Sequence, residues 1–220
     1  MAEVIIVKDE AEAGEIYARS VADLIKAKPD AVLGLATGSS PLAAYQALAA
    51  LVKKESNDVS QVRGFALDEY LGLPLTHPES YHSTIHRTVV EPLGLDPAKV
   101  HVPGSSLASG TRVKTLAERT RIDNARFFND DVNQVPMHCI TQGIGTILKA
   151  RHLVLLAFGA GKAEAIAETV EGGVSAFCPA SALQLHPHAT IIVDEAAASR
   201  LRHKGYYKYA FAHKPSWQGI

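Results

Sequence analysis

Ala31–Pro41 reads AVLGLATGSSP, a short apolar run that breaks into glycine and hydroxyl residues just before a helical pattern starts. The stretch predicts strand, loop and helix, with Ser40 as N-cap and Pro41 as the first helical residue. The unbonded N–H groups at such a helix start point back into the loop, where the hydroxyls of Thr37, Ser39 and Ser40 converge on the same small volume. Partial positive charge and orphan donors suit an anion, most often a phosphate. The plainer reading is a tight capped turn, and the stretch alone leaves both open.

Strand and helix alternate on either side of it. Val4–Val7 predicts a strand, and Asp9–Lys28 a helix with Tyr17, Val21, Leu24 and Ile25 on its apolar face, stopped by Pro29. After Pro41, the spacing of Leu42, Tyr45, Ala49 and Val52 gives a helix with one packed face. Val62–Leu67 predicts the next strand, Tyr81–Val90 a helix, and VHV at 100–102 a short apolar piece. His152–Phe158, HLVLLAF, is continuously apolar and predicts a buried strand; Gly159-Ala160-Gly161-Lys162 and the helix AEAIAETV follow it. Ala189–Val193 predicts a further strand ending in Asp194-Glu195, followed by a helix to about His203. Such alternation implies a parallel sheet with right-handed crossovers.

Two places on this scaffold invite chemistry. Ligands of open α/β sheets sit outside the carboxyl ends of the strands. The ATGSS loop and the triplet Asp68-Glu69-Tyr70 are therefore expected at one crevice, with Asp68 a candidate base; an acidic surface turn is the alternative. The turn before Lys162 is not a Walker A loop, which needs four residues between its glycines and a Ser or Thr after the Lys, but a Lys there can neutralise a phosphate as a point charge.

Composition narrows the partners. With 220 residues, 47% of them hydrophobic, the chain can bury a core and is expected to form a single domain. A net charge of -1 without a basic stripe lacks the footprint of a nucleic-acid or membrane-surface binder, so a small ligand is expected. The start, MAEVIIVKDEAEAGE, is wrong for a signal peptide and no run reaches membrane-spanning length, which points to the cytoplasm. Cys139 and Cys178 form no C-x-x-C pair and read as reduced thiols. The ten histidines show no metal spacing, and no metal is assigned. Residues 111–136 are rich in Arg, Asn and Asp, as expected of a polar flap more than of core. Its Arg112, Lys114, Arg121 and Arg126 can each meet an anion or stand on a solvated face. The aromatic, basic tail YYKYAFAHKPSW packs on the body or on a partner subunit, so a homo-oligomer stays open.

Taken together, LGLATGSSP at 33–41, FALDEYLGLPLTHPESYHSTIHR at 65–87, SSLASGTRVKTL at 105–116, DNARFFNDDVNQVP at 123–136, ITQGIGTI at 140–147 and SALQLHPHATIIVDEAA at 181–197 closely resemble the glucosamine-6-phosphate deaminases of the amino-sugar phosphate isomerase group. The resemblance implies a Rossmann-like α/β fold, an open and mostly parallel sheet with helices on both faces. It implies a reaction of amino-sugar catabolism without a cofactor: glucosamine 6-phosphate and water give fructose 6-phosphate and ammonia. Asp68 matches the proton carrier between C2 and C1. Thr37, Gly38, Ser39 and Ser40 match the phosphate loop, with Lys162 and Arg126 as its cationic partners. Ser105, Arg112 and Lys114 match positions that serve a second phosphosugar site in regulated members. A 6-phosphogluconolactonase-like hydrolase shares the fold and is the competing enzyme reading; D-E-Y-x-G-L-P and V-N-Q-V-P favour the deaminase. A non-catalytic phosphosugar binder is the third reading.

The resemblance also implies a gap. Family members carry, between the equivalents of Gly104 and Ser105, a helix, a central strand and a D-G-H-x-x-F-N-E-P motif, while this chain runs from KVHVPG directly into SSLASG. That motif supplies the histidine that opens the sugar ring and the carboxylate that orients it. The sheet is therefore expected to lack one central strand.

Overall fold

The computed structural model describes residues 2–104, 111–215 and 217–220. The chain divides into two compact units, one of Met1–Asp23, Ser39–Lys54 and Ile144–Ile220, the other of Leu24–Gly38 and Glu55–Gly143. The α/β class and the parallel pairing expected from sequence are both present.

In the first unit, β1 (Glu3–Val7), β9 (Ala189–Asp194) and β8 (Leu153–Ala157) form a parallel sheet in the order β1-β9-β8. Helices cover both of its faces. Ala13 and Ile16 of α1 (Glu10–Ala27) pack with Ile5, Val7 and Ile192, whereas Ile166 of α7 (Ala163–Val170) packs with Val4, Ile191 and Val193. α2 (Leu42–Glu55) lies close against α1: a Cβ on Gly14 would stand 3.0 Å from the Ala43 carbonyl oxygen, so this position needs a residue without one. Leu24, expected on the apolar face of α1, is instead exposed.

Two expectations fail in this unit. HLVLLAF was expected to be a buried strand, yet Leu153 to Leu156 are only half-buried, because β8 ends the sheet and has a neighbour on one side alone among the described residues. The helix expected up to His203 is also absent. Residues 195–200 form turns, and α8 (Lys204–Ala212) starts where that helix was to end. Glu171 fixes the start of α8: its carboxylate accepts from the N–H groups of Arg202 (2.8 Å) and His203 (3.0 Å) and from the Tyr207 hydroxyl (3.1 Å). Those amides lie at the start of α8, where they have no partner within the helix. The tail itself packs on the body, with Tyr207 and Phe211 against the sheet's two clusters.

The second unit holds two sheets. β2 (Val32–Leu35), β3 (Arg63–Ala66) and β5 (Val100–His101) pair in parallel. Leu33, Leu35 and Ala66 are buried on one face, while Val32 (48% exposed) and Phe65 (37%) lie open on the other. β4 (Asp68–Tyr70), β7 (His138–Gln142) and β6 (Thr111–Thr115) make an antiparallel sheet in the order β4-β7-β6, a pairing that alternation did not predict. Short helices α3 (Tyr81–Ile85), α4 (Glu91–Leu93), α5 (Glu118–Asn124) and α6 (Ile144–Ile147) complete the chain, α6 belonging to the first unit.

Residues 111–136 are more structured than their composition suggests. Leu116, Ala125, Phe128 and Val135 are buried together with Tyr70 and Cys139. Arg121, read as meeting an anion or standing on a solvated face, instead turns its guanidinium to the chain, donating to the carbonyls of Val132 (2.7 Å) and Val135 (3.3 Å). Cys139 and Cys178 are both free, in line with their reading as thiols.

Candidate functional site

Asp68 stands where one strand ends and another begins. β3 closes at Ala66, and the chain turns at Leu67 into β4, so Asp68 opens a second sheet instead of lying in a loop after the first. The turn is fixed by Gln142, whose amide N–H donates to the Leu67 carbonyl (2.8 Å) and whose side chain donates to that of Ala66 (3.0 Å).

The register of the antiparallel sheet then decides what surrounds the carboxyl group. Asp68 pairs with Thr141 and Thr141 with Arg112; Tyr70 pairs with Cys139 and Cys139 with Lys114. Residues paired across an antiparallel ladder share a face, as do residues two apart, so Asp68, Arg112 and Lys114 stand on one face. Burial raises the Asp68 carboxyl from the ordinary value to about 6; the Glu69 charge pushes the same way and Lys114 opposes both. A carboxyl poised there can take and return a proton near neutral pH.

Glu69 does something else. It is 2% exposed and its carboxylate receives three backbone amides: Tyr70 N at 2.8 Å and Tyr81 N at 2.9 Å on Oε1, and His82 N at 2.8 Å on Oε2. Two of these are the orphan donors at the start of α3, whose N-cap Ser80 accepts from Ser83 N. Beside it, the Tyr70 and Tyr81 rings lie 4.4 Å apart, and Asn124 donates to the Tyr70 hydroxyl at 2.8 Å. Burial raises both phenols above their usual range. Sequence reading took Glu69 only as part of a triplet; nothing in the chain's spacing told which of two adjacent acids would turn inward.

The other expected residues are placed as follows. Gly38 adopts a φ of +99°, a conformation that suits glycine, and Ser39–Leu42 forms a turn closed by Leu42 N on the Ser39 carbonyl at 3.2 Å. α2 begins at Leu42, with the Pro41 carbonyl accepting from Tyr45 N, so Pro41 and not Ser40 occupies the cap. Ser39, Ser40 and Lys162 fall in the first unit; Thr37, Gly38, Asp68, Arg112, Lys114 and Arg126 fall in the second. Lys162 is exposed at the end of a one-turn 3-10 helix before α7, and Gly159 takes a φ of +84°. The Gly159 N–H donates to both Asp194 carboxylate oxygens (3.0 and 3.1 Å), one of which also accepts from Ala197 N (2.7 Å). Arg126 is exposed with its guanidinium over the Phe127 ring at 4.6 Å. Ser105 lies outside the described residues.

Parallel strands joined through helices, with glycine turns at two strand ends, define a Rossmann-like α/β protein. A family model described as glucosamine-6-phosphate isomerases/6-phosphogluconolactonase matches residues 9–126. The chain is 72% identical, over 270 aligned positions covering all of both chains, to a glucosamine-6-phosphate deaminase of Bifidobacterium longum. It is 53% identical over 260 positions to one of Streptomyces coelicolor, covering 99% of this chain and 100% of the relative. A solved structure of a monomeric glucosamine-6-phosphate deaminase superposes with a TM-score of 0.83 at 34% identity, over 90% of this chain and 99% of the other. The 6-phosphogluconolactonase of Trypanosoma cruzi shares the fold, with a TM-score of 0.64 at 16% identity over 92% and 97% of the two chains. The chain thus belongs to the family of glucosamine-6-phosphate isomerases and 6-phosphogluconolactonases. The alignment to the Bifidobacterium relative has 270 positions against the 220 residues here, so 50 of its positions are filled in the relative alone. Among the described residues, no helix is long and apolar enough to cross a membrane.

The raised Asp68 carboxyl gives a signed pH dependence. Its proton is held more tightly in the folded chain, so its contribution to stability is complete below the ordinary value of 3.8 and is lost as pH rises through about 6. Asp68→Asn, which cannot ionise, should therefore stabilise the chain at pH 7.5 by an amount of order 2 kcal/mol, allowing for partial exposure, and leave it nearly unchanged at pH 3.5. Urea midpoints at the two pH values measure this; equal shifts at both would contradict the assigned environment.

Proposed function

We propose that the chain is a glucosamine-6-phosphate deaminase by descent, converting the opened amino sugar and water to fructose 6-phosphate and ammonia without a cofactor. The observation that carries this reading is the Asp68 carboxyl, raised to about 6 at a strand junction, in a chain 72% identical to a deaminase. Asp68 removes the proton at C2 and returns it at C1 through an enolamine, and water then replaces the amine at C2 as ammonia leaves. A single carboxylate reaches both adjacent carbons, so one group serves as base and acid in turn. Thr37, Gly38, Ser39 and Ser40 hold the phosphate with Lys162 and Arg126, and residues 111–136 close over the bound sugar. Arg112 and Lys114, with Ser105, are the residues of a regulatory phosphosugar site. A phosphorylated substrate places the work in the cytoplasm.

Loss of the ring-opening motif limits the chain to the small open-chain fraction of its substrate, so turnover is slow. The test follows the C2 proton of glucosamine 6-phosphate in deuterated water. Exchange should vanish in Asp68→Asn with phosphosugar affinity nearly unchanged, and undiminished exchange would remove Asp68 from the role. Lys162→Ala should weaken glucosamine 6-phosphate binding at least ~10-fold while leaving glucosamine binding as it was, because a point charge on a phosphate is lost. Equal losses for both sugars would dismiss the phosphate assignment.

A further inference from the structure

His152 and His188 stand directly before β8 and β9, and the ladder sets them side by side. Leu153 pairs with Ala189 in parallel register, so the residues one step earlier lie opposite each other and share a face. Their rings stack parallel with centroids 3.8 Å apart, and His152 Nε2 lies 2.9 Å from the hydroxyl of Thr190, a fully buried residue. A third histidine ties the two strand approaches together. Buried His186 places Nε2 2.8 Å from the Ala150 carbonyl and Nδ1 against the His188 backbone, 2.7 Å from its carbonyl oxygen and 3.1 Å from its N–H.

The C-terminal tail closes over the same face. Glu3 of β1 is the ladder partner of Thr190, and its carboxylate holds Lys214, two residues past α8. Phe211 of α8 and Ile220 pack into the cluster of Ile5, Val7 and Ile192, which stands on that face. This arrangement suits a neutral stack. Burial, and then the charges of His188, His186 and Lys214, push the His152 imidazole down to about 4 from the ordinary 6.5. Each of those three neighbours is a cation when protonated.

We propose that the histidine stack is an acid-operated latch on the C-terminal tail: neutral, it leaves Lys214 on Glu3 and the tail seated on the sheet; protonated, it drives Lys214 away and frees α8 and the residues after it. His186 and His188 belong to the strand approaches and cannot retreat, whereas Lys214 stands near a chain terminus. His152 binds its proton less tightly in the closed form. Closure is therefore fully favoured above pH 6.5 and weakens as pH falls from there towards 4. If release restores the ordinary value, the open form gains up to ~30-fold on the closed form at pH 5. The latch is independent of the reaction assigned above, so the two can fail separately.

Amide exchange of the full chain tests it. Between pH 7 and pH 5, protection factors of residues 207–212, which already allow for the pH dependence of chemical exchange, should fall ~10-fold or more, and those of residues 191–193 should change less than ~2-fold. His152→Gln keeps a polar group beside Thr190 without titrating, and should hold the tail's protection level across this range. Lys214→Met removes the repelled charge and should flatten the same profile, at lower protection throughout because Glu3 loses its partner. In the parent chain, the His152 ring should titrate well below 6.5 by NMR, a measurement that needs no variant. A ring titrating at 6.5 or above, or a His152→Gln profile as steep as the parent's, would overturn the latch. So would equal loss of protection in tail and core, which would make the event acid unfolding of the whole unit.

Discussion

Insertion between Gly104 and Ser105 of a family segment ending in D-G-H-x-x-F-N-E-P should raise turnover of glucosamine 6-phosphate by at least ~10²-fold, and raise stability with it. Both expectations rest on the segment that the resemblance implies for the family between these two residues. Ring opening moves a proton between the ring oxygen and the anomeric hydroxyl, and a positioned acid or base contributes roughly 10²- to 10⁴-fold to such a step. No residue of this chain is assigned that role. The resemblance implies a central strand in that segment, and about five such residues would add several ladder bonds at roughly 0.5 to 1.5 kcal/mol each. Against a total stability of about 5 to 15 kcal/mol that gain is large. Coupled detection of ammonia and fructose 6-phosphate reads the first effect, and urea unfolding the second. Rapid turnover by the 220-residue chain itself, its intact mass confirmed, would mean that ring opening does not depend on the absent motif.

Glu69→Ala should unfold the second unit or bring it close to unfolding. The substitution strands three amides, those of Tyr70, Tyr81 and His82, which now end on one buried carboxylate. Hydrogen bonds to a charged acceptor are worth roughly 1.5 to 3 kcal/mol each, so a loss of ~5 kcal/mol or more is expected against the same modest total. Glu69→Gln keeps one acceptor oxygen and should fall between the variant and the parent. Because the Glu69 charge helps raise the Asp68 carboxyl, Glu69→Gln should also move the acid limb of C2-proton exchange below pH 6. Unfolding midpoints and the pH profile measure the two effects separately. An unaltered midpoint in Glu69→Ala would show that water replaces the clamp without loss.

Most strands of the parallel sheets were legible as short apolar runs, several of them bounded by Gly or Pro, whereas VHV at 100–102 read only as a short apolar piece. The β4-β7-β6 sheet was not, since Asp68 meets Thr141 far along the chain and neither TRVKT nor HCITQ alternates cleanly. Arg121 illustrates the same limit: a cation in a polar stretch reads as surface until the carbonyls of Val132 and Val135 turn towards it. The helix expected after Asp194 is replaced by turns over residues 195–200, and the next helix starts only at Lys204, after Glu171 has taken the amides of Arg202 and His203. The apolar run of β8 read as a buried strand, and its place at the end of the sheet, which leaves it half-buried, is set by pairing that local sequence does not show. At the site, the junction residue Asp68 could be picked out as a candidate base, but its elevated proton affinity arises from burial and from a neighbour's charge.

The tie between Asp194 and the turn at Gly159 bears on how that turn would grip an anion. A backbone already preorganised by a carboxylate gives up little conformational entropy when a ligand arrives. The ordering that remains is that of the Lys162 side chain, an exposed flexible stem carrying about 2 kcal/mol of rotamer entropy. Selection can therefore exchange the charged tip of this turn, or tune its reach, without disturbing the strand ends that support it.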